Sequence, residues 1–328
     1  LAEPPSELRA LRELINARLL AYLRGEPGEL YEAARHIMAG GGKRLRPILA
    51  LCMYRHLGGK GDILPAALCL EYLHNFTLIH DDIMDRDETR HNLPTTHVKY
   101  GLPLAILAGD LLFAKAFELL GELRGTLDDG RLMEGASLLA QAMVRLCEGQ
   151  ALDMKLAGSP SPPSLEEYLR LIELKTATLY QASAALGALL AGADANRLME
   201  ARGFGANLGM AFQVVDDILG LFGDERETGK PIGSDLREGK KTLPLLLGHA
   251  AGGRASELIA RAWAGARLGP EEVALVLEEL RRERVEERAR ELALRYAERA
   301  RGHLARLGPG PCSSLLASLV GFVVERRF

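Results

Sequence analysis

Apolar residues recur at spacings of three and four along nearly the whole chain, and strict alternation is almost absent. Leu8, Leu11, Leu14, Ile15 and Leu19 set the pattern early, and Val273, Leu277, Leu280, Ala289, Leu292 and Tyr296 repeat it near the end. Side chains spaced in this way share one face of a helix, whereas a half-buried strand needs a period of two. Alanine and leucine dominate, and β-branched clusters are short. Breaks fall at GEPGE (25–29), GGKGD (58–62), HNLP (91–94), GSPSPPS (158–164), GDERETGKP (223–231) and LGPGP (307–311). The pattern predicts an all-α fold. No break is long enough for an interdomain linker, so residues 1–328 are expected to form one large helical domain.

Composition removes several function classes. Forty-eight per cent hydrophobic residues supply a real core, which excludes general disorder. Lys+Arg 41 against Asp+Glu 44 leaves no basic excess for nucleic acid. No apolar run reaches the ~18 residues of a spanning helix, so no stable membrane insertion and a cytoplasmic location are expected. Cys52, Cys69, Cys147 and Cys312 form no CxxC pair and are expected as buried, reduced thiols. Asn and Gln together number nine, a scarcity of labile amides that leans toward a thermophile. The charged stretch 277–304 mixes signs and is expected to be a solvated helix face.

Two acidic pairs stand out. In FTLIHDDIMDRDETRH (76–91), Asp81 and Asp85 are four apart and share a helix face, with Asp82 ~100° round the axis. Such carboxylates repel one another unless a cation sits among them, and Mg²⁺ is suited to one or two carboxylates plus substrate phosphates. In AFQVVDDILGLFGDE (211–225), Asp216 and Asp217 again follow apolar residues, and Asp224 returns to the same side. Facing helices with such pairs would clamp Mg²⁺ ions around a pyrophosphate.

Cations supply the other half. AGGGKRLRP (39–47) places Lys43, Arg44 and Arg46 after three glycines, where flexible backbone allows close approach to a phosphate. It lacks the P-loop spacing GxxxxGK[ST], which argues against ATP or GTP. Lys175–Thr176, Lys230 and Lys240–Lys241 are further cationic positions in a chain with nine lysines. The substrate that fits is an amphiphile with a diphosphate head and a hydrocarbon tail.

These stretches resemble the trans-isoprenyl diphosphate synthases (polyprenyl synthase family), most of all the archaeal geranylgeranyl diphosphate synthases. The matching segments are GGKRLRP (41–47), HNFTLIHDDIMD (74–85), LPTTH (93–97), GLPLAILAGD (101–110), GQALD (149–153), KTATL (175–179), FQVVDDILG (212–220) and GKPIGSDLREGKKTLP (229–244). The resemblance implies a helical bundle around a central apolar cavity, head-to-tail condensation of isopentenyl diphosphate with allylic diphosphates, Mg²⁺ dependence and a homodimer. It assigns Asp81, Asp82, Asp85, Asp216 and Asp217 to metal, and Lys43, Arg46, His74 and His91 to isopentenyl diphosphate. Arg90, Lys175, Thr176, Gln213, Lys230 and Lys240 would hold the allylic diphosphate. Two departures stand out: His91 replaces the usual second arginine, and Gly220 stands where many relatives carry aspartate. On that comparison Gly220→Asp is expected to be tolerated.

Product length is expected to depend on Phe76, with Thr77 and Leu73 beside it. Phe76 lies five residues before Asp81, ~7.5 Å along the helix, as an obstruction beneath the catalytic end. The uninterrupted DDxxD spacing resembles archaeal enzymes that stop at geranylgeranyl diphosphate, with farnesyl and twenty-five-carbon products as alternatives. Three rivals explain less. An HD-type metal phosphohydrolase, prompted by His80–Asp81, leaves GGKRLRP and the second acidic pair without a role. A non-catalytic subunit would have lost an acidic pair or the Lys43/Arg46 cations. A terpene cyclase would carry a different second metal motif.

Overall fold

The computed structural model describes residues 6–90, 93–159, 161–224 and 231–325, so His91 and Lys230 lie outside the described residues. The chain is built from helices α1 (Ser6–Leu19), α2 (Gly28–Ala39), α3 (Leu45–His56), α4 (Leu64–Asp85), α5 (Thr96–Tyr100), α6 (Leu102–Gly121), α7 (Asp129–Ala157), α8 (Leu165–Ile172), α9 (Thr178–Leu190) and α10 (Ala195–Phe222). The second part holds α11 (Ser234–Arg237), α12 (Leu243–Ala251), α13 (Gly253–Trp263), α14 (Pro270–Arg282), α15 (Val285–Leu307) and α16 (Ser313–Val324). The all-α expectation therefore holds. One small hairpin was not foreseen: β1 (Thr89–Arg90) pairs antiparallel with β2 (Leu93–Pro94), Arg90 opposite Leu93.

Local chemistry sets the helix boundaries. Asp128 and Asp194 accept from backbone N–H groups three residues on to open α7 and α10, and Ser164 with Glu167 forms a capping box on α8. A proline in the first turn opens α4, α6 and α12, where its missing N–H is not needed. Helix α9 is apolar or small nearly all round (TLYQASAALGALL) and is buried along almost its whole length, as such a pattern requires.

Two apolar clusters make the core. The larger gathers α1–α4, α6, α7, α9 and α16, and the second gathers α8 and α11–α14. Helices α10 and α15 run through both: Phe204 and Ala300 lie in the first, Ile218 and Ala289 in the second. The charged stretch behaves as expected, since α15 buries Ala289, Ala293, Ala297 and Ala300 and turns its charges outward, with Arg290 pairing Glu286 at 3.1 Å. Cys52, Cys69 and Cys312 are buried free thiols, but Cys147 is exposed on α7, contrary to expectation. No helix among the described residues is long and apolar enough to cross a membrane.

Candidate active site

Both acidic pairs sit at the C-terminal ends of long helices. Asp81, Asp82 and Asp85 close α4, which Arg86 terminates in a left-handed conformation (φ 58°), and Asp216 and Asp217 lie in the last two turns of α10. The negative end of a helix dipole disfavours carboxylates there, so stability did not choose these positions. Cations must offset the charge.

Lys175 is one of them. Its ammonium donates to Asp153 Oδ2 on α7 at 2.6 Å and lies 3.5 Å from Asp81 Oδ2. Burial opposes its charge, yet Asp81, Asp153 and Asp85 together hold its pKa above the ordinary lysine value. It reaches them from a π-helical turn, Glu173–Ala177, between α8 and α9. A π turn inserts an extra residue into the helical repeat and re-aims side chains, a geometry found often at functional sites. Gly149 allows the close approach, because a Cβ there would stand 2.6 Å from the Lys175 backbone nitrogen. Thr176, next on the turn, donates to Gln213 Oε1 at 2.7 Å.

The paired aspartates divide their labour. Asp81 is partly exposed, and burial with the nearby Asp85 and Asp153 raises its pKa to about 6 although Lys175 pulls the other way. Asp85 and Asp216 are exposed. Asp82, expected as a metal ligand with them, is 1% exposed, and Arg90 donates to its Oδ1 through Nε and NH2, both at 2.6 Å. Asp217, also expected as a ligand, is buried and triply satisfied: Tyr168 Oη donates at 2.6 Å, Gln213 Nε2 at 2.8 Å and the Leu243 N–H at 3.1 Å. Burial lifts its pKa to about 7 against those three bonds. Asp217 is therefore fully engaged and Asp82 is held through Oδ1, its buried Oδ2 without a hydrogen-bond partner, while Asp81, Asp85 and Asp216 turn outward.

Other expected residues are distributed as follows. Lys240 pairs with Glu238 at 2.6 Å and Asp235 at 3.8 Å. Burial opposes its charge, but Asp235, Glu238 and Asp87 raise its pKa, so its field reaches the end of α4. Lys241 donates to the carbonyls of Leu156, Ser159 and Ser161 and so caps α7. Lys43 is exposed, Arg46 lies over the Tyr180 ring at 4.5 Å, and His74 is half-buried on α4. Arg44, grouped with these cations in the sequence, is 5% exposed and bound to Glu71 instead. Asp153 and Asp235 were missed as site residues, although both stand inside the segments that carried the resemblance.

The chain-length residues also separate. Leu73 is fully buried in the larger core and cannot border an open channel. Thr77, ~40° from Asp81 around the axis, donates to the His74 carbonyl at 2.8 Å. Phe76 is ~140° away and faces α6, so it does not stand directly below Asp81 as expected. Its ring meets His80 at 4.8 Å and Phe113 at 5.3 Å, and Phe113 continues to Phe117 at 5.3 Å. A row of aromatic rings thus runs from Phe76 on α4 along α6. His80 points the same way, toward the Ile106 carbonyl at 3.3 Å and Asp110 at 3.8 Å, and forms no metal site with Asp81.

No group of three or more metal-ligating side chains is assembled among the described residues. The outward pair Asp81 and Asp85 still fits Mg²⁺, a hard cation that typically takes one or two carboxylates and completes its shell with water and substrate phosphate.

Comparison with known proteins identifies the family and the fold. The chain is 48% identical over 230 residues to the geranylgeranyl diphosphate synthase of Sulfolobus acidocaldarius, covering 70% of this chain and 69% of that one. It is 38% identical over 325 residues to the geranylfarnesyl diphosphate synthase of Aeropyrum pernix, covering 95% and 99%. The crystal structure of geranylgeranyl pyrophosphate synthetase from Pyrococcus horikoshii superposes with a TM-score of 0.88 at 34% identity, over 98% of both chains. Residues 27–279 match the family described as polyprenyl synthetase. The chain belongs to the polyprenyl synthetase family and is a prenyltransferase.

Proposed function

We propose that the protein condenses isopentenyl diphosphate head to tail with allylic diphosphates and releases geranylgeranyl diphosphate, with the twenty-five-carbon product as the alternative. The observation that carries the reading is the Lys175 ammonium held between Asp81 and Asp153 at the mouth of α4. It is a fixed cation among carboxylates, poised to share a diphosphate with them.

In this reading Asp81, Asp85 and Asp216 would hold Mg²⁺, which when bound would withdraw charge from the departing diphosphate. Lys175, Thr176, Lys240 and the remaining donors of Arg90 bind the allylic diphosphate and stabilise the charge it develops as the C–O bond breaks. Lys43, Arg46 and His74 hold isopentenyl diphosphate so that its double bond faces the allylic cation. Proton loss then restores an alkene, with the released diphosphate as base. The apolar side chains beneath exclude water, which would trap the cation as an alcohol. Gln213 and Tyr168 orient the second acidic motif through Asp217.

A homodimer is part of the proposal. Large apolar side chains remain exposed on α6 (Leu102, Ile106, Leu107) and α7 (Met133, Val144, Met154), more than scattered surface residues require. One domain spanning 1–328 also belongs to it, supported by the passage of α10 and α15 through both apolar clusters.

Incubation with Mg²⁺, isopentenyl diphosphate and dimethylallyl, geranyl or farnesyl diphosphate, followed by sizing of the dephosphorylated products, tests the reading. A dominant twenty-carbon alcohol is expected. Diphosphate release without any chain extension would overturn it.

A further inference from the structure

Arg44 lies between Lys43 and Arg46 in sequence but is buried, whereas Lys43 is exposed. Its backbone is left-handed (φ 52°) at the start of α3, which turns the guanidinium into the protein. There NH1 donates to Glu71 Oε1 at 2.6 Å, Nε to Asn16 Oδ1 at 2.9 Å and NH2 to the Met38 carbonyl at 3.1 Å. One side chain thereby ties together α1, the end of α2 and α4. Arg44 and Glu71 are 5% and 3% exposed, and Asn75 Nδ2 donates to the Glu71 carbonyl at 2.7 Å. Gly42 has a positive φ of 149°, and a Cβ there would stand 2.9 Å from Arg44 NH1.

A buried ion pair is a poor device for stability alone, because apolar residues of the same volume often serve as well or better. Its directional bonds do fix register. Here the register is between the glycine loop and α4: Lys43 precedes Arg44 directly, Arg46 follows two residues later, and His74 lies one turn beyond Glu71. We infer that Arg44, through Glu71, is a positioning residue that sets Lys43 and Arg46 against His74 to form the isopentenyl diphosphate subsite. The inference rests on the reading of those three residues given above.

Three full-length variants test it: Arg44→Lys, Glu71→Gln and the double apolar replacement Arg44→Met/Glu71→Leu. The double variant removes both charges together, so it avoids the unpaired buried charge that Glu71→Gln leaves and keeps the test readable where that variant is destabilised. KM is measured for isopentenyl diphosphate and for the allylic substrate separately, with kcat from the active fraction and thermal unfolding as a control. The expected result is a rise of about tenfold in KM for isopentenyl diphosphate, with the allylic KM and kcat within about twofold. That split of roughly tenfold against twofold is the effect of displacing one binding half only. Asn16→Ala, which removes only the Nε partner, should give a smaller rise in the same constant.

Lys43→Ala is the control for the underlying reading. If it leaves KM for isopentenyl diphosphate unchanged, the subsite assignment is wrong. If Lys43→Ala raises KM but the folded double variant does not, the subsite stands and the positioning role is overturned. A loss of active protein at unchanged KM in every Arg44 and Glu71 variant would make the pair purely structural and would overturn the inference as well.

Discussion

The Asp235 carboxylate occupies the space that a Cβ on Gly220 would need. Asp235 is 6% exposed and pairs with Lys240 at 3.8 Å, so an acid from another element already fills that space. The tolerance expected of Gly220→Asp is thereby reversed. A second carboxylate would overlap and repel the first, in a buried setting where unpaired charge is costly. Gly220→Asp should lower stability by about 2–4 kcal/mol and reduce turnover at least tenfold. Gly220→Ala, which adds bulk without charge, should show part of the stability loss. Wild-type denaturation midpoints for both would refute this packing.

Asp81→Asn and Asp217→Asn should fail differently. Both should lose more than nine-tenths of turnover. Asp81→Asn removes a charge that burial, Asp85, Asp153 and the helix dipole all disfavour, so without metal it should raise the melting temperature. Asp217→Asn changes a buried acceptor bound by Tyr168, Gln213 and the Leu243 N–H, and should cost about 1–3 kcal/mol. Equal melting shifts in the two variants would contradict the division between outward and anchoring aspartates.

The aromatic row predicts graded chain-length control. Phe76→Ala leaves Phe113 standing 5.3 Å from the vacated ring position, so products should lengthen by about one isoprene unit. Phe76→Ala/Phe113→Ala should extend the distribution further. Each truncation is also expected to cost up to about 3–5 kcal/mol, so turnover is compared well below the melting temperature. An unchanged product distribution in both folded variants would place the tail elsewhere.

His56, buried at the end of α3, links stability to pH. Burial lowers its pKa from 6.5, and the Gly308 backbone opposes this only in part. The unfolded chain therefore takes up a proton at a higher pH than the folded chain does. The stability contribution is complete above the unfolded value and declines as pH falls through it toward the folded value. Urea midpoints at pH 8 and pH 5.5 should differ more for wild type than for His56→Leu; parallel profiles would exclude the linkage.

Leu107→Glu, on the exposed face of α6, should convert a dimer to a monomer in light scattering while retaining helical circular dichroism. A dimer of unchanged affinity would locate the contact on another surface.

Helix positions and the two acidic pairs were readable in the chain, because the three-and-four spacing and the Asp-Asp doublets are local. Which aspartate of each doublet faces outward was not. A helix sets ~100° between neighbours, but the angle says nothing of which neighbour meets the core. That choice came from partners outside the doublets: Tyr168, 49 residues from Asp217, holds the second inward carboxylate, and Arg90 on the small hairpin holds Asp82. The same holds for cations. Lys43, Arg44 and Arg46 look alike in sequence, and only the left-handed turn at Arg44 with Glu71 awaiting it separates the buried, paired guanidinium from the exposed Lys43. Charge and spacing are properties of the segment, whereas burial and pairing are properties of what packs against it, as where the π turn that aims Lys175 packs against Gly149 of α7 too closely for a side chain there.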